Sequence, residues 1–203
     1  MVKNVIFDIG NVILNFDLNY ILPKFTKNSD EQDFIVDNII NSPEWLGYSL
    51  IDTGYITKEN AIAIVQDRTN HKNDNLIESF WNNYNNYSLV DNRVIELIKN
   101  LKLQGYRIYL LSNINEHTFI NVEKSGLFNI VDGYVLSYKE HQVKPYVAIY
   151  ETLLNRYELM ASECLFIDDN EKNIKTAQEL GFITRKVLSD NYESVLESIS
   201  EFL

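Results

Sequence analysis

The chain has 203 residues, of which 45% are hydrophobic and 23% charged, a composition typical of a folded protein rather than a disordered one. Its formal net charge of −11 argues against nucleic acid as the main partner, because phosphate backbones are bound by clustered Lys and Arg. The single cysteine, Cys164, lies in a strand-like run and cannot form an internal disulfide. The first apolar run is too short to span a bilayer, so we expect a cytoplasmic protein without a membrane partner.

One predicted strand and a long helical segment come first in the chain. Residues 2–7 form an apolar run that predicts a buried strand. Residues 17–88 show helical periodicity without a convincing strand, and helix starts are predicted at Thr57 and at Ser42-Pro43. An apolar stripe in this segment is interpreted as core packing: Leu76, Ile77, Phe80, Trp81 and Tyr84. We therefore predict a helical bundle, residues 17–88, inserted into a core domain made of residues 1–16 and 89–203.

Strands and helices alternate through the rest of the chain. Further strands are predicted at residues 106–112, 132–137, 163–168 and 182–187. Helices are predicted from Asp91 to Gly105, over residues 116–124, from Pro145 onward, from Asn170 to Gly181 and from residue 192 onward. This alternation favours an α/β fold in which a Rossmann-like parallel sheet is covered by helices on both faces.

Polar side chains stand at or just beyond the ends of the predicted strands. They are Asp8, the pair Ser112 and Asn113, Lys144, and the pair Asp168 and Asp169. Taken singly, each has an ordinary interpretation as a helix cap, a turn residue or a solvated charge. Because ligands bind in open parallel sheets at the carboxyl ends of the strands, their joint occurrence predicts that they converge on one site.

These residues have a coherent chemistry if they converge. Three carboxylates in one cleft repel one another unless a cation lies among them, and hard oxygen ligands select Mg²⁺. Lys144 can bind a phosphate, and the Ser112 hydroxyl can donate to phosphoryl oxygens. Asp8 is then able to attack phosphorus as a carboxylate nucleophile and form an aspartyl-phosphate. The pattern thus favours phosphoryl transfer on a small phosphorylated molecule.

Four ordered motifs, "FDIGNVI", "LLSN", "VKP" and "FIDDNEKNIKTAQELG", resemble those of the haloacid dehalogenase-like (HAD) hydrolase superfamily. The resemblance covers the whole chain, and the helical insertion stands where that superfamily places its small helical cap. The segment "GYSLIDTGYITKENA" is similar to a cap segment of the phosphatase-like subgroup. The "DIGNV" and "FIDDN" forms look most like small bacterial sugar-phosphate phosphatases, including those that act on α-glucose-1-phosphate.

The resemblance implies a role for each matching position. Asp8 would be the nucleophile, and Mg²⁺ would be held by Asp8, the backbone carbonyl of Gly10, Asp168 and Asp169. Asp169 is expected to bind the metal directly, and Asp168 directly or through an intervening group. The transferring phosphoryl group would be held by Ser112, Asn113 and Lys144. Asn173, one helical turn after Asp169, would either orient the acidic loop or be a solvated helix residue.

Gly10 departs from the pattern of most phosphatases in the superfamily, which carry a second aspartate at this position. That aspartate protonates the leaving oxygen and later activates water, and such general acid–base catalysis is worth about 10²–10⁴-fold. Three explanations stay open. The leaving group is good, as an anomeric sugar phosphate is; or another group serves, such as His117, His141 or a cap residue; or the protein is a weak enzyme.

Three other functions fit part of the pattern. A two-component receiver domain carries its acidic pair at the first strand, whereas here the pair comes last, at Asp168 and Asp169. A haloacid dehalogenase, whose carboxylate attacks carbon, needs no metal and typically has tyrosine where Gly10 stands. A regulator that binds phosphorylated ligands with weak turnover is the third alternative. Metal dependence of turnover distinguishes the phosphatase from the dehalogenase.

Substrate specificity is expected to come from side chains of the helical insertion that face the cleft. Trp45, Tyr48 and Tyr55 are the aromatic candidates in this part of the sequence, and we interpret them as core of the insertion rather than as substrate contacts.

Overall fold

The computed structural model describes residues 1–42, 50–188 and 192–199. Within these ranges the strands are Asn4–Phe7 (β1), Leu14–Asn15 (β2), Leu89–Val90 (β3), Arg107–Ser112 (β4), Gly133–Leu136 (β5), Cys164–Asp168 (β6) and Ile183–Lys186 (β7). The helices are Leu18–Ile21 (α1), Ser29–Ile35 (α2), Lys58–Arg68 (α3), Asp74–Asn83 (α4), Asn92–Leu103 (α5), Glu116–Glu123 (α6), Leu127–Ile130 (α7), Ser137–Glu140 (α8), Val147–Arg156 (α9), Glu171–Glu179 (α10) and Tyr192–Ile199 (α11).

Five strands form a parallel sheet in the order β5-β4-β1-β6-β7. In this order β1 lies at the centre, and Phe7 is paired with Leu110 of β4 and Ile167 of β6. The next residue along β1, Asp8, therefore emerges beside Asp168. This register is what brings the residues that follow three separate strands to one edge of the sheet.

Helices cover both faces of the sheet, as the alternation of buried side chains along β1 requires. Val5 and Phe7 pack on one face against apolar residues of α5, α6, α7 and α11. Ile6 packs on the other face against residues of α9 and α10. The predicted α/β fold with a parallel sheet is thus confirmed.

The segment between β2 and β3 is helical and has an apolar core of its own. The predicted stripe packs there, with Ile77, Phe80 and Trp81 fully buried against residues of α2 and α3. Among its described residues, a short 3₁₀ helix, Leu22–Lys24, joins α1 to α2, and a π-helical turn, Val36–Ile40, follows α2. A second 3₁₀ helix, Tyr84–Asn86, follows α4. The insertion is joined to the sheet by an antiparallel pair, β2 with β3, which is too short to produce a recognisable sequence pattern.

Several local predictions need correction. The helix expected at Pro145 begins at Val147, with Tyr146 as its N-cap, and the Lys144–Pro145 peptide bond is cis. The short helices α7 and α8 were not predicted, because four residues are too few to show a period. Tyr55 is 68% exposed rather than part of the core, and its ring stacks on that of His141.

Some predicted features fall outside the described residues. They are Pro43 of the predicted helix start, and Trp45 and Tyr48 of the aromatic candidates. None of the helices in the described ranges combines the length and the apolar character that crossing a membrane requires.

Candidate active site

Three carboxylates meet at the carboxyl edge of the sheet. One oxygen each from Asp8, Asp168 and Asp169 can be chosen so that all three lie within 4.8 Å of one another. Asp8 follows β1, and its backbone N–H donates to the Ile167 carbonyl at 2.9 Å, which extends the strand pairing by one residue. The structure therefore brings together the three carboxylates that the sequence predicts to converge.

The Lys144 ammonium lies between two of these carboxylates and is 1% exposed. Its Nζ is 2.9 Å from Asp8 Oδ1 and 2.6 Å from Asp168 Oδ2. Burial by itself lowers the pKa of Lys144, but the charges of Asp168 and Asp8 outweigh burial and hold the pKa above its ordinary value. Lys144 is therefore a fixed positive charge at neutral pH.

The Asp8 carboxylate has few stabilising partners for its charge. Burial raises its pKa to about 7; Lys144 opposes this shift, while the charges of Asp168 and Asp169 reinforce it. Its Oδ1 accepts a 2.7 Å hydrogen bond from the backbone N–H of Ile9. Three carboxylates thus face one ammonium in this cluster, and their mutual repulsion favours the protonated form of Asp8.

The two adjacent aspartates after β6 have different surroundings. The Asp168 carboxylate is fully buried and accepts hydrogen bonds from Lys144, from the backbone N–H of Asn170 and from Asn173 Nδ2. Asp169 is less buried and accepts a 3.0 Å hydrogen bond from Asn11 Nδ2. Of the two interpretations of Asn173, the structure supports the one in which its side chain orients the acidic loop.

Asn113 and Ser112 lie at the end of β4 and do different things. The Asn113 side chain exchanges two hydrogen bonds with the Lys144 backbone: Oδ1 accepts from the Lys144 N–H at 2.8 Å, and Nδ2 donates to its carbonyl at 2.9 Å. The amide thus orients Lys144, a role that the sequence did not suggest. The Ser112 hydroxyl is buried and makes no hydrogen bond of standard geometry, although it lies close enough to Asp8 to lower that carboxyl's pKa.

Gly10 faces open space in the loop after β1. A methyl group built at its Cα would meet no atom within 4 Å, and the residue is partly exposed. The Cβ of another residue is therefore accommodated at this position. The two histidines considered as substitutes lie elsewhere: the His141 ring nitrogen Nδ1 contacts the Thr53 carbonyl at 2.8 Å, and His117 lines a separate cavity beside α6.

A cleft opens between the sheet edge and the helical insertion. Its volume is about 330 Å³, and its wall includes Gly10, Ser112 and Asn113 together with apolar side chains from both parts of the chain. It also contains Tyr84, which we predicted as core packing, and polar residues that the sequence did not single out: Asn11, Asp52, Asn85, Asn115 and Thr118. No sequence pattern marks these residues as cleft residues. They lie in loops or on helices, and the packing of the insertion on the sheet domain decides which of their side chains face the cleft.

The donor set fits a hard divalent cation. Carboxylate oxygens are the ligands that Mg²⁺ prefers, and it is usually bound by one or two carboxylates together with water and phosphate oxygens. Asp8 and Asp169 both present carboxylates to the cluster, and a cation there would offset the repulsion among its carboxylates. The Gly10 carbonyl as a further ligand stays a prediction from the family resemblance.

Comparison with known proteins identifies the family. A family model described as haloacid dehalogenase-like hydrolase matches residues 2–181. The chain belongs to this family. The resemblance seen in the four sequence motifs is thereby confirmed, and the protein is an enzyme, a hydrolase of the HAD-like family.

Relatives of this hydrolase include phosphatases. It is 27% identical over 194 residues to the D-ribitol-5-phosphate phosphatase of Bacteroides thetaiotaomicron, a match that covers 91% of each protein. It is 31% identical over 94 residues to the sesquiterpene phosphatase astK of Aspergillus oryzae, which covers 46% of this chain and 48% of that protein.

Solved structures share its fold. A HAD family enzyme of Bacteroides thetaiotaomicron, in complex with magnesium and inorganic phosphate, has a TM-score of 0.75 at 24% identity, covering 94% of this chain and 96% of the other. The L-2-haloacid dehalogenase of Xanthobacter autotrophicus has a TM-score of 0.67 at 18% identity, covering 98% and 83%. Both likenesses establish the fold of this hydrolase and leave its reaction to be argued from the site.

Proposed function

We propose that this hydrolase is a Mg²⁺-dependent phosphatase that acts on a small sugar phosphate through an aspartyl-phosphate on Asp8. The observation that carries the proposal is the contact between Lys144 and Asp8, 2.9 Å apart, beside Asp168 and Asp169. A carboxylate held against an ammonium and next to a cation site is able to approach an anionic phosphoryl group. A carboxylate that attacks carbon needs no such acidic pair.

Each residue of the site has a task in the proposed reaction. An Asp8 oxygen forms a bond to phosphorus while the bond from phosphorus to the ester oxygen breaks, and the leaving oxygen takes up a proton to become an alcohol. Water then attacks the same phosphorus, which releases inorganic phosphate and regenerates the Asp8 carboxylate. Lys144, the Ser112 hydroxyl and the Asn113 backbone N–H hold the phosphoryl oxygens in both steps, and the Asn113 side chain keeps Lys144 in place.

The acidic pair divides the work of metal binding. Asp168 is already engaged by Lys144 and Asn173, so it orients the ammonium and the loop. Asp169 would hold the metal directly, together with Asp8 and the Gly10 carbonyl. When bound, Mg²⁺ would neutralise the carboxylates and polarise a phosphoryl oxygen. Asn11 Nδ2 donates a hydrogen bond to Asp169 Oδ2, which orients this carboxylate.

The relatives support this reaction class. A D-ribitol-5-phosphate phosphatase matches over nine-tenths of its length, and a structural neighbour was solved with magnesium and inorganic phosphate. Ribitol is a small sugar alcohol, so the comparison favours a small polyhydroxylated phosphate over a nucleotide or a phosphoprotein.

Release of p-nitrophenol from p-nitrophenyl phosphate tests the proposal. We expect turnover with Mg²⁺, none after removal of divalent ions with EDTA, and recovery when Mg²⁺ is added back. Turnover of a chlorinated carboxylic acid without metal would instead show a dehalogenase. Failure to turn over any phosphate ester, combined with tight binding of phosphorylated ligands, would show the regulator.

A further inference from the structure

The wall of the cleft carries a continuous chain of hydrogen bonds from the insertion to the sheet domain and back. Asn115 Nδ2 donates to Asp52 Oδ1 at 3.2 Å and to the Tyr84 hydroxyl at 3.4 Å. The Tyr84 and Thr118 hydroxyls are 2.9 Å apart, and Thr118 donates to Asn85 Oδ1 at 3.3 Å. Burial raises the pKa of Tyr84 to about 12, so the phenol keeps its proton at neutral pH and can donate along this chain.

Asn85 is the last residue in this series of hydrogen bonds, and its side-chain Nδ2 is a donor without an acceptor among the described residues. The residue is 4% exposed, its Nδ2 is buried, and this nitrogen has no hydrogen-bond partner among the residues that the structure describes. A buried amide donor without a partner destabilises the folded state, so such groups are rare unless a ligand or water pairs with them. Asn85 lines the same cleft as Gly10 and Ser112. In the proposed reaction, this cleft takes the leaving group of the phosphate ester.

At the other end of the chain stands Asp52, which is 9% exposed. Among the described residues that line the cleft it is the one with a charged side chain. A carboxylate accepts about four hydrogen bonds, so Asp52 can accept from a ligand as well as from Asn115. A second anionic group on the substrate would be repelled here, and the described wall offers it no Lys or Arg.

We infer that Asp52 and Asn85 select a neutral, polyhydroxylated leaving group, with Asp52 accepting a hydrogen bond from one hydroxyl and Asn85 donating to another. The apolar part of the wall, formed by Ile9, Leu14, Phe16, Ile51 and Ile114, packs against the carbon skeleton. A cavity of about 330 Å³ accommodates a pentitol or hexose. The inference rests on the proposed phosphatase function and adds to it the residues that recognise the substrate.

The test compares two phosphate esters that differ in hydroxyl groups alone. Ribitol 5-phosphate and n-pentyl phosphate share the carbon chain length and the phosphate, and both have poor leaving groups. We expect wild-type kcat/KM to favour ribitol 5-phosphate. In Asp52→Asn and in Asn85→Leu the ratio of the two kcat/KM values falls about tenfold or more, since each change removes one hydrogen bond to a hydroxyl.

Two further variants keep the test decisive. Asn85→Asp preserves the shape and the acceptor for Thr118 while removing the donor, so it replaces Asn85→Leu if that variant fails to fold. Asn86→Leu changes the neighbouring amide, which is exposed and lies outside the cleft wall, and its ratio should equal that of the wild type. Thermal unfolding by circular dichroism establishes that each variant is folded.

Other results would overturn the inference. If the wild-type kcat/KM for ribitol 5-phosphate and for glucose 6-phosphate is no higher than that for n-pentyl phosphate, the enzyme does not recognise hydroxyl groups of the leaving group. If Asp52→Asn slows both alkyl and polyol esters equally but spares p-nitrophenyl phosphate, Asp52 is a proton donor rather than a specificity residue. A wild type that releases no phosphate even from p-nitrophenyl phosphate would contradict the phosphatase proposal itself, which is a separate outcome.

Discussion

Lys144 Nζ lies 2.9 Å from Asp8 Oδ1 even though β1 and the segment before α9 are far apart in sequence. Both side chains are at least nine-tenths buried. The ammonium holds one Asp8 oxygen, while Asn113 fixes the Lys144 backbone on both its N–H and its carbonyl. The nucleophile of the proposed reaction is therefore oriented by a cation that is itself held from the end of the neighbouring strand.

Asp8→Asn should leave no measurable phosphatase activity, because an amide oxygen is too weak a nucleophile to displace the alcohol. The substitution keeps the shape of the side chain and removes one of three crowded negative charges, so the thermal midpoint should be equal to or above that of the wild type. Turnover of p-nitrophenyl phosphate and thermal unfolding measure the two effects. Residual turnover that is sensitive to EDTA would place the nucleophile elsewhere.

Lys144→Met should lower both activity and stability. The change leaves Asp8 and Asp168 buried without their cation, and removal of one partner from a buried ion pair costs about 3–5 kcal/mol. Activity in the folded protein should fall about 10²–10³-fold, the usual effect of losing a charge that stabilises the transition state.

Lys99→Met is the matched control for this variant. Its ammonium pairs with Glu96 on the surface of α5, and exposed pairs contribute about 0–1 kcal/mol. Urea unfolding and steady-state kinetics compare the two variants. An activity loss of less than about tenfold in Lys144→Met, measured where the variant is folded, contradicts the role assigned to Lys144.

Gly10→Asp should raise activity on esters with poor leaving groups. The site has open space at Gly10, and a carboxylic acid there can protonate the leaving oxygen, a contribution of about 10²–10⁴-fold in general acid catalysis. We expect a gain in kcat for n-pentyl phosphate and little change for p-nitrophenyl phosphate, whose leaving group needs no proton.

Gly10→Asn distinguishes the effect of proton donation from the effect of side-chain size, because asparagine has the same size as aspartate and is not an acid. It should show no gain. If Gly10→Asp also fails to accelerate alkyl esters, another group already supplies the proton, and the second of the three explanations for Gly10 is favoured.

Asn173→Ala should weaken magnesium binding more than it weakens the fold. Its amide donates to both oxygens of Asp168 at 3.0 Å, and loss of a group that orients a metal site typically costs about 10–100-fold in affinity or activity. The measurement is the Mg²⁺ concentration that gives half-maximal activity, which should rise by at least about tenfold. Asn170→Ala, which removes the N-cap of α10, is the control: it should lower stability by about 1 kcal/mol with a smaller effect on the metal.

Cys164 should be inert toward thiol reagents in the native state. The residue is fully buried in β6, and burial raises the pKa of its thiol to about 11. Because the folded pKa lies above the ordinary value, the thiol stays protonated at pH 8 and the reactive thiolate is scarce. Mass spectrometry after iodoacetamide treatment should show labelling only when urea is present. Rapid labelling without denaturant would show that the strand is accessible.

Much of the fold follows from local sequence patterns. Runs such as residues 163–168, bounded by turn residues and followed by a helix with Asn170 at its N-cap, specify strand and helix by composition and period alone. The position of Asp8, Ser112 and Asp168 at strand ends is likewise visible in the sequence, and in a parallel sheet such ends meet at one edge. The convergence of these side chains on one edge of the sheet could therefore be predicted without coordinates.

The tertiary structure decided what lies opposite that cluster. Asp52 and Asn85 come from the insertion, and Asn115 and Thr118 from α6, and no period in the sequence relates these segments. They meet because the apolar core of the insertion packs as a separate unit against the sheet edge, which sets distances between residues that are remote in the chain. The grouping of polar side chains at the strand ends is thus encoded locally, whereas the opposite wall of the cleft depends on how the core of the insertion packs against that of the sheet domain.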